Sequence, residues 1–410
     1  MTPTITPGRM SSLIPEASDR PGDDPIFTLN ADAQRRAQAG EAVINATLGA
    51  LMEDDGRLAV MPAVFEAISS IPPEQASAYA PIAGDDAFLK AVIRDTLGSG
   101  VLAENAVAVA TAGGTGAVHH SIVNFLEPGQ ALLTASYFWG PYQTLATHTR
   151  RAVETFEMFD ADGRFHVAAF EQGLRSVITR QGRALVVFNF PCNNPTGYTL
   201  DAGEWHAVAE ILKREGQTAP VTFMLDLAYA RYGAEGADAW LTELESVNEV
   251  CTLLFAWSAS KAFAQYGSRV GCLIAVTPDD GDRTRIANAL SFSCRGTWSN
   301  CNHLGILAIT KLLADDQLKA RADAERGRLT ALIGERVEVF NREAEKVGLR
   351  TPRYEGGFFV AVFTKDAEAT AAAAREQGVF VVPMNGAVRV ALCSTPARDI
   401  PRLVEVLGSV

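Results

Sequence analysis

The stretch FAWSASKAFAQYGSRVG, residues 255–271, brings one lysine, Lys261, out of an apolar run into a setting of small hydroxyl residues, Ser258 and Ser260, with Arg269 eight positions on. A lysine amine is a nucleophile only once it has lost its proton, and partial burial beside a second cation lowers its pKa in that direction. Arg269 supplies such a cation. A second run, FMLDLAYARYG, sets Asp226 directly after apolar residues, where an unpaired carboxylate is costly and needs a cationic or proton-bearing partner. A helix cap would account for Asp226 equally well. Tyr229 follows three residues later and can turn back toward the same strand end. In NFPCNNPTG the Asn-Pro turn leaves the amide of Asn194 directed away from the sheet edge, although a plain turn explains that motif too.

Two more stretches carry possible chemistry. In VAVATAGGTGAVHH a strand closes on Gly113, Gly114, Thr115 and Gly116 with a helix behind them. Such a turn presents backbone N–H groups at a positive helix end and suits a phosphate. It has neither the GxGxxG spacing nor the Walker lysine, and glycine turns are more often structural than ligand-binding. Trp139, in SYFWGPY, belongs to a residue type that is usually core, but its ring can also stack on a planar ligand. Amine, carboxylate, aromatic plate and phosphate cradle together suit pyridoxal 5'-phosphate, whose aldehyde condenses with lysine and whose ring nitrogen pairs with an acid.

These groups need elements to bring them together. From about residue 105 to 276, the apolar runs AVAVATAG, ALLTASYFW, ALVVFNFP, VTFMLDLAY, CTLLFAWSAS and VGCLIAV alternate with amphipathic stretches. That rhythm predicts an α/β layered domain with a mostly parallel sheet, and the chemical groups stand at the ends of those runs. QLKARADAERGRLTALIGERVEVFNREAEKVG predicts a long amphipathic helix. Beyond it, GGFFVAVF, VFVVPM and VRVALC read as strands, with DAEATAAAAREQG and RDIPRLVEVLGSV as helices, an α+β pattern. A chain of 410 residues exceeds one typical domain. The expected division is an N-terminal arm with part of the small domain over 1–60, a large cofactor-binding domain over 61–315, and a C-terminal small domain over 316–410.

Composition narrows the function. With 48% hydrophobic and 20% charged residues the chain is globular, and a net charge of −12 with no block of Lys or Arg argues against nucleic acid as partner. Six scattered cysteines without a CxxC pair predict reduced buried thiols, and six histidines without ligand spacing predict no metal site. The polar, proline-bearing N-terminus and the lack of a long apolar run predict a cytoplasmic protein with no membrane span.

In their order along the chain, NNPTG, DLAY, SASK with Arg269 eight residues on, and VRVAL resemble the fold type I PLP-dependent aminotransferases, most closely the aspartate and aromatic amino acid aminotransferase branch. The resemblance spans about residues 42–395. It implies a large domain with a mostly parallel seven-stranded sheet flanked by helices, plus a smaller α+β domain. It implies that Lys261 forms the internal aldimine and then shuttles the proton between the substrate Cα and the cofactor C4′ carbon. Asp226 would keep the pyridine nitrogen protonated, Asn194 and Tyr229 would hydrogen-bond the phenolic oxygen, and Trp139 would stack on the ring. Gly113, Gly114, Thr115, Ser258 and Arg269 would hold the phosphate. Tyr79, in AYAPIAGDDAF, falls where the family's tyrosine reaches the phosphate of the neighbouring subunit, implying a homodimer with shared active sites. Arg389 matches the arginine that pairs with the substrate α-carboxylate. Gly49 and Asn194 would also face the substrate. Arg295, in SFSCRGTWSNCNHLG, falls where an arginine binds a distal substrate carboxylate across the interface.

Several positions depart from the branch. Gly113 stands where a serine often opens the phosphate turn, Tyr142 where aspartate-specific members have histidine, and Cys301 and Asn302 replace the usual proline pair. NFPCNN also lacks the histidines those members carry, so strict aspartate specificity is not expected. The expected function is an amino acid:2-oxo acid aminotransferase of amino acid metabolism, acting on dicarboxylic and/or aromatic substrates through a Lys aldimine and a ketimine. The alternative is a β- or γ-eliminating lyase, in which the same carbanion expels a leaving group without an oxo-acid acceptor. A PLP-sensing regulator would require a DNA-binding region, for which the first 40 residues are too short and too acidic.

Overall fold

The apolar runs between residues 106 and 276 fold into one sheet because most of them are buried on both faces, as strands covered by helices must be. The computed structural model describes residues 12–22 and 25–410. Its strands are β1 (Ile44–Asn45), β2 (Ala106–Ala112), β3 (Ala131–Ala135), β4 (Ala152–Phe156), β5 (Ala184–Phe188), β6 (Val221–Asp226), β7 (Thr252–Ser258), β8 (Val270–Val276), β9 (Phe359–Phe363), β10 (Val379–Phe380), β11 (Val382–Met384) and β12 (Ala387–Ala391). The large sheet has seven strands in the order β2-β8-β7-β6-β5-β3-β4. Only β8 runs against the rest, antiparallel to both β2 and β7. Every residue of β3, β5, β6 and β8 is buried.

The six runs read from the sequence all form strands of this sheet. The seventh, β4, is AVETF at the sheet edge, with only Phe156 buried. Its polar, alternating composition gives none of the continuous apolar signal of its neighbours.

A second layer follows. The helix Asp316–Val347 starts under an Asp315 cap that accepts from the amides of Gln317 and Leu318, and it stops at Gly348 in the left-handed region. It packs against the terminal helix Ile400–Ser409. Beside them lies the antiparallel sheet β11-β12-β9, and β1 pairs in parallel with β10, which ties the segment near residue 45 to the C-terminal part. Arg336, fully buried in the long helix, donates to the carbonyls of Leu392, Cys393 and Met52 and pairs with Asp54. No helix among the described residues is long and apolar enough to cross a membrane.

The site depends on one close backbone approach. β8 passes so near the turn after β2 that a Cβ at Gly271 would lie 2.7 Å from the Gly113 Cα and closer still to its carbonyl. Gly113 itself has a φ of +67°, and a Cβ there would lie 2.9 Å from Arg269 Cζ. Only glycine meets both demands. Gly271→Ala should therefore destabilise the apo-protein by about 1–3 kcal/mol, the usual cost of overpacking, read from urea unfolding. An unchanged unfolding midpoint would mean that β8 and the turn separate freely.

Candidate active site

The carboxyl ends of β5, β6 and β7 and the first turn of the helix Gly113–Phe125 enclose a cavity of about 190 Å³. Ligands of open α/β sheets bind at such strand ends. One wall is built for an anion. The helix begins directly at Gly113 with no side-chain cap, leaving the first-turn amides after Gly113 uncapped. Gly114, Thr115, Ser258, Ser260 and Arg269 line the same wall. Arg269 is fixed there by Nη1 bonds to the Tyr266 carbonyl at 3.0 Å and the Ser260 hydroxyl at 3.3 Å. Its own carbonyl accepts from the Gly113 amide at 3.0 Å, joining cation and turn.

Across the cavity Asp226 ends β6, buried. Tyr142 donates its hydroxyl to Oδ2 at 2.7 Å and the Ala228 amide donates to Oδ1 at 3.1 Å. Burial pushes the Asp226 pKa up, while these two bonds and the charge of Lys261 pull it down. The helix-cap alternative fails, since the carboxylate caps only its own turn and faces the cavity. Asn189, at the end of β5, donates to the Asp226 carbonyl at 2.9 Å and accepts from the Asn194 amide at 2.7 Å. It thereby locks the Asn-Pro turn to β6. Asn194 then donates to the Tyr229 hydroxyl at 3.3 Å. Trp139 lines the cavity and meets the buried Tyr142 ring edge-on at 5.6 Å.

Lys261 sits on the one-turn helix Ala259–Ala262, capped by the Ser258 hydroxyl, which accepts from the Ser260 amide. Its Nζ lies 5.4 Å from the Tyr229 ring centroid and 5.9 Å from that of Tyr266. Burial lowers its pKa; Asp226 opposes the shift and Arg269 adds to it. A lysine of this kind holds more free amine at neutral pH than one on the surface.

Next to the cavity, Arg389 on β12 donates Nη2 to the Thr47 carbonyl at 2.7 Å and lies 4.4 Å from the Phe359 ring centroid. Gly49 packs on the same ring, where a Cβ would be 2.8 Å from Phe359 Cζ. Two residues from the sequence stay apart. Tyr79 is 90% exposed, and Arg295 is exposed with its Nη1 on the Ser299 hydroxyl at 2.6 Å; neither lines this chain's cavity. Sequence reasoning did not assign Asn189 or the contact made by Tyr142. Asn189 had a signal, a polar residue closing an apolar run, as Asp226 does.

The donor set fits pyridoxal 5'-phosphate: an open helix terminus with hydroxyls and a guanidinium for the phosphate, a buried acid for the ring nitrogen, and a deprotonation-prone amine between them. A parallel-sheet fold with that site defines a fold type I, PLP-dependent enzyme. Residues 42–407 match the model of the aminotransferase class I and II family, and the chain belongs to that family. It is 28% identical over 321 residues to the aromatic-amino-acid aminotransferase of Paracoccus denitrificans, covering 77% of this chain and 78% of that protein. Over 314 residues it is 28% identical to the aspartate aminotransferase of Pseudomonas aeruginosa, covering 75% and 76%. A solved aminotransferase structure from Anaerococcus prevotii matches with a TM-score of 0.92 at 29% identity, over 98% of this chain and 99% of that one. The chain is a PLP-dependent aminotransferase that takes amino acid and 2-oxo acid substrates. None of these relatives supports the eliminating-lyase alternative.

Tyr142→Phe should cost about 0.5–3 kcal/mol of apo-protein stability, towards the upper end where Asp226 is charged and the lower end where it is protonated. Burial already raises the Asp226 pKa above its unfolded value, and loss of the hydroxyl raises it further. The deficit is therefore largest where Asp226 is charged and shrinks as pH falls through its folded pKa. A deficit independent of pH would point to lost packing instead.

Proposed function

We propose a homodimeric cytoplasmic aminotransferase that moves amino groups between dicarboxylic or aromatic amino acids and 2-oxo acids. The observation that carries this reading is the meeting of Lys261, its pKa lowered by burial, with the buried acid Asp226 and the guanidinium of Arg269 in one cavity. When bound, the cofactor supplies an aldehyde for the amine and an electron-withdrawing ring that acidifies the substrate Cα–H. Lys261 would carry the cofactor, and its amine would be the base that takes the substrate Cα proton. Asp226, fixed by Tyr142 and Ala228, holds the proton at the ring nitrogen. Tyr229 and Asn194 donate toward the phenolic oxygen, and Trp139 covers the ring. Gly113, Gly114, Thr115, Ser258 and Arg269 orient the phosphate. Arg389 takes the α-carboxylate, beside Asn194 and Gly49.

The residues left outside the cavity support the substrate and assembly readings. Tyr79 and Arg295 are exposed in one chain, as are aromatics such as Phe292 at 80% and Phe65 at 49%. This supports a dimer in which each chain lends Tyr79 to its neighbour's phosphate and Arg295 to its neighbour's substrate. The names of the relatives, aromatic-amino-acid and aspartate aminotransferases, support the two substrate classes. The cytoplasmic reading is supported by six unpaired, buried cysteines. The proposed division of the chain is 1–60, 61–315 and 316–410, the first segment joining the third through β1 and β10.

Two variants test this. Lys261→Ala should lose the visible absorbance of the bound cofactor and essentially all turnover, and borohydride reduction of the native enzyme should leave the pyridoxyl group on the Lys261 peptide. A label on any other lysine overturns the site. Arg295→Leu should lower kcat/KM for aspartate and glutamate by about 2–4 kcal/mol, the cost of an unpaired carboxylate, and change phenylalanine and alanine much less. An equal fall for all four amino acids would make Arg295 structural.

A further inference from the structure

Arg295 stands in the last turn of the helix Asp280–Thr297, and the residue that follows the helix fixes it in place. Trp298 turns its indole onto the helix Gly113–Phe125 and stacks flat on His120, with ring centroids 4.5 Å apart and 13° between the planes. The indole fills the space over Gly116, where a Cβ would lie 2.8 Å from Cη2 and 3.1 Å from the Thr111 Cβ. His120 is fully buried, and burial pushes its pKa down to about 3, so its ring is a neutral plate. Its Nδ1 lies 3.2 Å from His119 Nδ1. His120 Nε2 has no hydrogen-bond partner among the described residues, so it gives the indole none. Ring contact, worth more than area burial alone, therefore holds the pair.

Neighbouring contacts fasten the same helix end. The Asn124 amide donates to Ser293 Oγ at 2.8 Å, and the Cys294 thiol donates to the Ala110 carbonyl at 3.5 Å. Past Trp298 the chain reverses at Ser299, which has a φ of 68°. The Ser299 amide returns to the Cys294 carbonyl at 3.0 Å, and its hydroxyl accepts from Arg295 at 2.6 Å. Hence the helix whose first turn forms the phosphate cradle also carries, about 9 Å further along its axis, the plate on which the arginine turn rests.

From this we infer that the stack of Trp298 on His120 positions Arg295 and so determines how well the enzyme takes substrates with a second carboxylate. The inference rests on the reading of Arg295 as the distal-carboxylate residue. His120 and Trp298 are positioning residues, since neither lines the cavity. A guanidinium displaced by an ångström loses its carboxylate geometry, while substrates without that carboxylate are indifferent to it.

The experiment uses the PLP-loaded holoenzyme and measures the binding of two unreactive acids by calorimetry, succinate with two carboxylates and 3-phenylpropionate with one, alongside cofactor content. His120→Ala should weaken succinate about tenfold, leave 3-phenylpropionate within twofold, and raise KM for glutamate more than it lowers kcat. His120→Phe, which keeps a flat ring, should restore succinate binding. Combined with Arg295→Leu, His120→Ala should add nothing, because the two act through one guanidinium. If Arg295→Leu weakens succinate but His120→Ala does not, the stack does not position the arginine and the reading of Arg295 stands. If Arg295→Leu leaves succinate unchanged, that reading falls and the inference with it. Equal weakening of both acids by His120→Ala would show a general packing effect and overturn the inference. Should His120→Ala fail to fold, Trp298→Leu tests the same stack from its partly exposed side, with the same outcomes deciding.

Discussion

The structure turns on a carboxylate placed where water does not reach. Asp226 closes an all-buried strand, and an isolated charge there would be neutralised by protonation rather than tolerated. Three groups oppose that outcome: the Tyr142 hydroxyl, the Ala228 amide and the charge of Lys261. Each comes from a different part of the chain. Tyr142 belongs to the helix after β3, Ala228 to the turn after β6, and Lys261 to the turn after β7. The sheet order β7-β6-β5-β3 brings these turns to one edge. The three groups act on the acid together only while that order holds, so the fold and the electrostatic setting of Asp226 are one constraint.

The opposite end of the cavity solves the complementary problem. Arg269 lies close to Lys261, and two cations in a confined space depress the ionisation of the one that can lose its proton. Arginine does not lose its proton, so the shift falls on the lysine. The Arg269 carbonyl and guanidinium both engage the backbone around Gly113, which leaves the helix terminus uncapped by any side chain. A phosphate would satisfy the open amides and the guanidinium together. Burial does most to lower the lysine's pKa, and Arg269 adds to it from the same wall that would take the anion.

How much of this the sequence reveals follows from where burial is complete. The strands β5, β6, β7 and β8 are legible as continuous apolar runs because helices cover both faces, and the polar residue that interrupts each end is legible for the same reason. β4 is not, since an edge strand need only fill one face. The role of Asn189 and the contact of Tyr142 with Asp226 bridge 37 and 84 residues of sequence respectively, so no local pattern encodes them. His120 is still less visible: a histidine in a helix behind a glycine turn gives no sign that an indole from residue 298 will lie on it. Gly116 was the one available hint, because a fourth small residue in the turn exceeds what the phosphate needs.

The two arginines differ in a way that fits the chemistry of a broad substrate set. Every amino acid presents the same α-carboxylate, and Arg389, proposed to take it, is buried, bonded to the Thr47 carbonyl and laid on the Phe359 ring. Pre-organisation of that kind lowers the cost of ordering the side chain on binding. Side chains differ between substrates, and Arg295, proposed to meet them, is exposed, with its Nη1 on the Ser299 hydroxyl in a reversing turn. A long exposed side chain held by one charge-assisted hydrogen bond has other rotamers within reach, as separate carboxylate-binding and ring-accepting states would require. Its backbone cannot move as freely, since Trp298 and Cys294 hold the helix end to the core. On the proposed reading of Arg295 as the distal-carboxylate residue, a fixed backbone carrying an exposed guanidinium would let one site accept both classes, whereas a buried, fully bonded arginine at that position would admit only one.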